Sequence, residues 1–322
     1  MTAFDGWLPI GVTWSDGLPE VDWCLAGQHR LLEPFFDDSV ARLLARPFNK
    51  VLRRRTGPDA LEAWAAQQPG LTPSGFIFHM SRCGSTLVAR MLAALSDSVV
   101  LSEPAPVDSM LRPPVPVPQD QHIRWLRALV SALGQPRIGH ERSCFVKFDC
   151  WHGLYLPLIR RAFPTVPWVF LYREPRQVLA SHLRQRGVQT VPGLIDSSVF
   201  GIEPAAAVSM PAPEYCSRVL GMICDAAARE ADGRLVNYRQ LPAAVFDTIL
   251  PHFRTLSSPG DRLAMQAASL AYSKRPAQAF SPTDDAEPLA SGGLLHSIVN
   301  AFMDEPYRAL EQRRTAETHN SS

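Results

Sequence analysis

A rhythm that begins at Gly75 constrains this chain most. From there, short runs of almost wholly apolar residues alternate with longer stretches whose apolar side chains recur every three or four positions. GFIFHM (75–80), VVLSEP (99–104), CFVKF (144–148), PWVFLYR (167–173) and RLVNY (234–238) have the length and composition of buried strands. Residues 86–95, 122–133, 153–163, 175–186, 214–231, 242–253 and 261–271 read as helices. Pro175 stands at a helix start, where its missing N–H costs nothing. Strands that are apolar on both faces need cover on both faces. The expected architecture is therefore α/β, a mostly parallel sheet flanked by helices. Ligands of such sheets bind beyond the carboxyl ends of the strands.

Residues 1–74 do not share the rhythm, and we expect a small N-terminal extension of mixed helix and loop, with helices near 35–45 and 59–67. FNKVLRRR (48–55) brings Lys50, Arg53, Arg54 and Arg55 together, either as a solvated basic face or as a contribution to an anionic substrate or partner. PGLTPSG (69–75) reads as a turn or linker. The division expected is 1–74 and 75–322, and at ~150 residues per domain a chain of 322 residues allows two. The Pro- and Gly-punctuated residues 187–211 are expected to be a lid or acceptor-site insertion, and MLRPPVPVPQD (110–120) a loop. No internal repeat is visible.

Hydrophobic residues make up 46% and charged residues 20%, enough for a large core, and the formal net charge is +1. That balance points to neither nucleic acid nor a membrane surface as partner, so any anion site must be local. Cys24, Cys83, Cys144, Cys150, Cys216 and Cys224 contain no C-x-x-C pair, which fits a reducing compartment. The N-terminus lacks the charge and apolar pattern of a signal peptide, and no apolar run reaches the ~18 residues of a membrane span. The expected location is cytoplasmic. Oligomeric state is not readable.

HMSRCGSTLV (79–88) joins the first strand to the first helix of the repeating region. A Walker A loop aligned on Gly84 needs Gly at 79 and Lys at 85, but His79 and Ser85 stand there. What survives is a P-loop-type geometry: a strand, a turn through Gly84, and a helix start bearing the Ser85 and Thr86 hydroxyls. Exposed N–H groups and the helix dipole make an anion site there. Its cation is Arg82, which can grip a sulfuryl or phosphoryl oxygen. Nucleoside triphosphate chemistry normally needs the missing Lys and a loop-held Mg²⁺. A sulfuryl group carries less charge, so one or two protein cations can stabilise its transfer. An ordinary strand-to-helix turn with a chance Arg is the alternative.

YREPRQVLASHLRQ (172–185) follows a later strand in the same way, with Arg173 and Ser181 eight residues apart. With both stretches in order, the chain resembles the sulfotransferase family, whose donor is 3′-phosphoadenosine 5′-phosphosulfate (PAPS). The likeness covers roughly residues 75–255. It implies that Arg82, Cys83, Gly84, Ser85 and Thr86 bind the 5′-phosphosulfate, and that Arg173 and Ser181 bind the 3′-phosphate. Arg173 could instead make a surface salt bridge, and Ser181 could bond its own helix. Cys83 could be simple loop filler. Lys274 and Arg275 in SKRPAQAF (273–280) would reach the nucleotide from the C-terminal side, or belong to a solvated loop. VNYRQL (236–241) is similar to a weaker family element, although Arg239 stands where an acid is usual.

Sulfuryl transfer to a hydroxyl needs a group to take the proton. Glu103 ends the second strand of the rhythm, 21 residues past Arg82, where adjacent parallel strands would bring it to the loop's edge. It is the first candidate, as in family members acting on tyrosine or carbohydrate hydroxyls. Asp149 in KFDCWH (147–152) is the second, standing where cytosolic phenol and steroid sulfotransferases carry a basic His. Lys147 could pair with sulfuryl oxygens or with Asp149. His152 reads as a capping or core residue, and His79 as packed or touching the donor. The expected activity is transfer from PAPS to a hydroxyl or amine of a small-molecule or carbohydrate acceptor, releasing 3′-phosphoadenosine 5′-phosphate (PAP), with no metal. A P-loop kinase or nucleotide hydrolase, and a non-catalytic nucleotide-binding module, are the alternatives.

Overall fold

The computed structural model describes residues 4–270 and 293–319. Lys274 and Arg275 lie outside the described residues.

Strands β1 (Trp7–Ser15) and β2 (Leu18–Leu25) form an antiparallel hairpin, to which β3 (Arg54–Thr56) adds a third strand. Asp16 and Gly17 both turn with positive φ, 51° and 77°, the geometry a two-residue hairpin loop requires. Around this sheet lie α1 (Phe36–Leu44), α2 (Pro47–Val51) and α3 (Pro58–Gln67). The N-terminal extension thus has the expected helices and, in addition, a sheet. Two of its basic residues are used within it. Arg54 lies over the Trp7 ring at 4.4 Å, and Arg55 pairs with Asp22 at 2.8 Å.

The rhythm from Gly75 folds as β4 (Gly75–His79), α4 (Ser85–Ala93), β5 (Ser98–Ser102), α5 (Ala105–Leu111), α6 (Gln119–Leu133), β6 (Ser143–Lys147), α7 (Leu156–Ala162), β7 (Trp168–Tyr172) and α8 (Pro175–Arg184). It continues through α9 (Pro204–Ser209), α10 (Ala212–Arg229), β8 (Arg234–Asn237), α11 (Leu250–His252), α12 (Pro259–Leu270), α13 (Gly293–Phe302) and α14 (Asp304–His319). The five strands β4 to β8 make one sheet in the order β5-β6-β4-β7-β8, every pair parallel. β4 and β5 are not neighbours, contrary to the adjacency inferred from the spacing of Arg82 and Glu103. β6 lies between them and carries Lys147 to the same edge.

All five residues of β4, β5 and β7 are buried, as strands covered on both faces must be. Phe78 of β4 stacks on Phe148 at 4.7 Å, and Phe76 meets Phe148 and Phe163 edge-on. Each such ring contributes roughly 1.5–3 kcal/mol by leaving water. The N-terminal sheet packs on this body through β1 against α5 and α6. Trp14 donates to the Ser109 carbonyl at 3.0 Å and meets Trp125 edge-on. No described helix is long and apolar enough to cross a membrane.

Because the strands are parallel, the segments after β4, β5, β6, β7 and β8 all emerge at one edge. β4 connects to β5 on one side while its neighbour β6 connects across to β7 on the other, and such a divergence is the switch point where α/β sheets open a crevice.

Candidate active site

A cleft of about 550 Å³ opens at that edge. Its lining includes Ser81 to Leu87 from the β4–α4 loop, Glu103 after β5, Asp149 to Trp151 after β6, Arg173 after β7 and Tyr238 after β8. Every strand of the parallel sheet sends residues to it.

The β4–α4 loop has an unusual backbone. Ser81, Arg82 and Gly84 have φ of 77°, 52° and 86°. A non-glycine residue in this region is strained, and two together persist only when the surroundings hold them. Gly84 is doubly required, since a Cβ there would lie 2.6 Å from Leu241 Cδ1. Gly84 is also the N-cap of α4, with no side-chain cap bond. The first N–H groups of that helix, with the Ser85 and Thr86 hydroxyls, border the cleft. Cys83 is buried and donates its thiol to the Leu171 carbonyl at 3.1 Å, and burial pushes its thiol up to about 12. The thiol thus faces the sheet and is protonated at neutral pH.

Arg82 and Arg173 line this one cleft. Arg82 donates to the Gln185 carbonyl at 2.7 Å, tying the loop to the end of α8. Arg173 is 3% exposed. Its guanidinium lies over the Tyr238 ring at 4.2 Å and donates to Gln177 Oε1 at 2.9 Å. Glu174 caps α8 by accepting from the Gln177 N–H. Ser181, buried on α8, is not among the residues that line the cleft. Gln185 is, and so are Gly187, Val188 and Gln189 at the start of the 187–211 segment.

Lys147 is fully buried at the end of β6 and is bonded to the Glu103 carboxylate rather than to Asp149. His79 accepts the Ser81 N–H at Nδ1, which leaves Nε2–H to donate to the Phe148 carbonyl at 3.0 Å. The same Nε2 lies 3.3 Å from Glu103 Oε1. Burial alone would raise the Glu103 carboxyl, but the Lys147 ammonium and the His79 bond overcome it and hold Glu103 well below the usual carboxylate range. Burial lowers His79, so its ring is neutral. Glu103 itself turns with φ of 55°, a third strained residue at the cleft.

Asp149 behaves oppositely. Burial pushes it up, His152 works against this, and the Glu103 and Asp108 carboxylates add to it, bringing Asp149 up to about 7. Asp149 caps a 3₁₀ turn, Cys150–Tyr155, and its N–H donates to His152 Nδ1 at 3.2 Å. His152 Nε2 lies 2.8 Å from Asp108 Oδ1. Asp108, on α5, also accepts from Trp151 Nε1 at 2.7 Å and from the Arg112 guanidinium. Among the described residues, Asp108, Asp149 and His152 form the one group whose ligand atoms lie close enough to share a metal ion. The two His152 nitrogens and Asp108 Oδ1 are already engaged by these bonds, so the cluster reads as a hydrogen-bonded chain.

The chemistry open to this edge is anion binding between two guanidinium groups and a helix start, beside one ionised and one near-neutral carboxyl. Sequence reading missed Tyr238, Gln185 and Phe35 as lining residues and Asp108 as a partner of His152. A Tyr after a late strand was a weak pointer to the first. Nothing local marks the others.

No protein-family model matches the chain, and no curated protein does. Among solved structures it is similar to the sulfotransferase STF9 from Mycobacterium avium, with 12% identity over 76% of this chain and 81% of that one, TM-score 0.45. It is also similar to the sulfotransferase STF1 from Mycobacterium tuberculosis H37Rv, with 14% identity over 82% and 83%, TM-score 0.44. A third is the sulfotransferase domain of the olefin synthase from Synechococcus PCC 7002, with 14% identity over 76% and 95%, TM-score 0.40.

Proposed function

We propose that this protein is a sulfotransferase that moves a sulfuryl group from PAPS to a hydroxyl or amine of a small-molecule or carbohydrate acceptor. The observation that carries the reading is that Arg82 and Arg173 line a single cleft, with the strained β4–α4 loop and the start of α4 on the same wall. The helix start and the Ser85 and Thr86 hydroxyls would hold the 5′-phosphosulfate, with Arg82 on its oxygens. Arg173, backed by Tyr238, would hold the 3′-phosphate that separates PAPS from ordinary adenine nucleotides. Ser181, eight residues after Arg173 on α8, would serve the same phosphate.

In the transfer, the acceptor oxygen forms a bond to sulfur while the bridging S–O bond breaks and its electron pair leaves on the PAP phosphate. Arg82 offsets the charge that develops there. The acceptor proton goes to a carboxylate. Asp149 is the better base of the two candidates, because a base works best when its proton affinity matches the working pH. Glu103, locked to Lys147, stays ionised and binds protons weakly. Its part is to hold the buried Lys147 ammonium beneath the site. No step of this scheme calls for a metal.

Calorimetry with PAP, ATP and ADP tests the donor site. Tight PAP binding that collapses in Arg173→Ala, with weak ATP and ADP binding in both proteins, is the expected result. Equal affinity for ATP and PAP, or Mg²⁺-dependent ATP turnover, would replace this reading with nucleoside triphosphate chemistry. An acceptor screen with ³⁵S-labelled PAPS follows.

A further inference from the structure

His152 is fully buried, and its ring is held edge-on by Phe148, Trp151 and Tyr155, with centroids at 5.9, 5.6 and 6.3 Å. Its Nδ1 accepts the Asp149 N–H, so the ring proton must sit on Nε2, where it meets Asp108 Oδ1 at 2.8 Å. As a cap alone this arrangement is over-built. The residue that ordinarily reaches back to an N-cap amide from this position is Glu or Gln. A histidine is needed only if its second nitrogen has a role too, and here that nitrogen reaches a carboxylate 44 residues earlier in the chain.

We propose that Asp108 and His152 are positioning residues for the Asp149 carboxylate. Asp108 fixes the imidazole as its Nε2–H tautomer, and the bare Nδ1 then anchors the Asp149 amide and so holds that residue at the cleft. This inference rests on the reading of Asp149 as the base.

Asp108 does not itself receive the proton. Burial favours its neutral form, but bonds from His152, Arg112 and Trp151 hold it well below the usual range, so it remains anionic. It acts as a fixed charge, as the buried partner of a catalytic imidazole does elsewhere. The groups that face Asp149 are His152 on its own turn, Glu103 after β5, Asp108 from α5 and Lys147 at the end of β6. Arg112 bears on it through Asp108.

The test needs no known acceptor. Imidazole ¹⁵N NMR reads the His152 tautomer, and carboxyl ¹³C NMR reads the titration of Asp149 in the full chain. The wild type is expected to show Nε2–H and an Asp149 midpoint near neutrality. Asp108→Asn removes a like charge, and the midpoint is expected to fall by about one unit, a tenfold drop in proton affinity. His152→Gln keeps the cap bond but removes the donor to Asp108, so it is expected to melt below the wild type by the loss of one charged hydrogen bond and to change the midpoint. If Asp108→Asn folds poorly, His152→Gln alone decides. An Nδ1–H tautomer in the wild type, or an Asp149 midpoint that neither variant moves, overturns the proposal. PAP calorimetry on the same wild-type sample separates the two readings, because absent PAP binding sinks the donor assignment whatever the titrations show.

Discussion

The Lys147 ammonium at the end of β6 is bonded to the Glu103 carboxylate at the end of β5, although the two residues are 44 apart in the chain. The pair divides the acidic residues of the cleft into one held ionised and one, Asp149, left near neutral. Glu103→Gln leaves a fully buried ammonium facing a neutral amide. Loss of a charged hydrogen-bond partner costs about 1–3 kcal/mol, to be read from urea denaturation at pH 7. Because the folded Glu103 carboxyl lies below its unfolded value, its stabilisation is present above about pH 4.5 and fades as pH falls through the folded value. The variant should lack that acid-side loss.

Asp149→Asn carries the opposite sign. The folded carboxyl is raised to about 7, so its contribution is full below the unfolded value near 3.8 and is lost as pH rises through 7. Wild-type stability should fall between pH 5 and pH 8 by about 1 kcal/mol or more, and the variant should not follow it. Once an acceptor is in hand, turnover by the variant should drop on the order of 10²-fold while PAP affinity holds. Unchanged turnover would remove Asp149 as the base.

Gly84→Ala should damage the loop twice over. The φ of 86° costs a side chain about 1–2 kcal/mol, and the new methyl meets Leu241 Cδ1. A lowered melting temperature together with weakened PAP binding is the expected pair of results. Wild-type PAP binding in this variant would mean that the loop does not touch the donor.

Arg173→Lys should not rescue Arg173→Ala. The guanidinium lies over the Tyr238 ring at 4.2 Å while donating to Gln177, and an ammonium can reproduce the charge but not that ring contact with a directed N–H. Each lost charge-assisted bond is worth about 1.5–3 kcal/mol, so PAP affinity should fall roughly 10- to 100-fold in both variants. Calorimetry measures it directly.

Much of the fold was legible. The five parallel strands and most helices fall within a few residues of their expected places, because a strand covered on both faces advertises itself by unbroken apolar composition. The misses have local causes. The β1–β2 hairpin carried its signal in Asp16-Gly17, which the surrounding Trp and Pro residues obscured. Helix α5 has no clear signal ahead of the Pro-rich loop because Pro104 and Pro106 open it, yet proline is tolerated in a helix's first turn. Helices α13 and α14 follow a polar stretch that interrupts the strand–helix rhythm.

By itself the sequence determined the elements and the two turns that carry Arg82 and Arg173, because burial periodicity and the steric needs of a left-handed glycine are written within a few consecutive residues. Tertiary structure alone decided that β6 lies between β4 and β5, that Lys147 therefore meets Glu103, and that Asp108 meets His152. Proton affinity is a sum over charges that are near in space and weakly screened. In this protein those charges come from segments far apart in the chain, and only the order of the strands brings them to one edge.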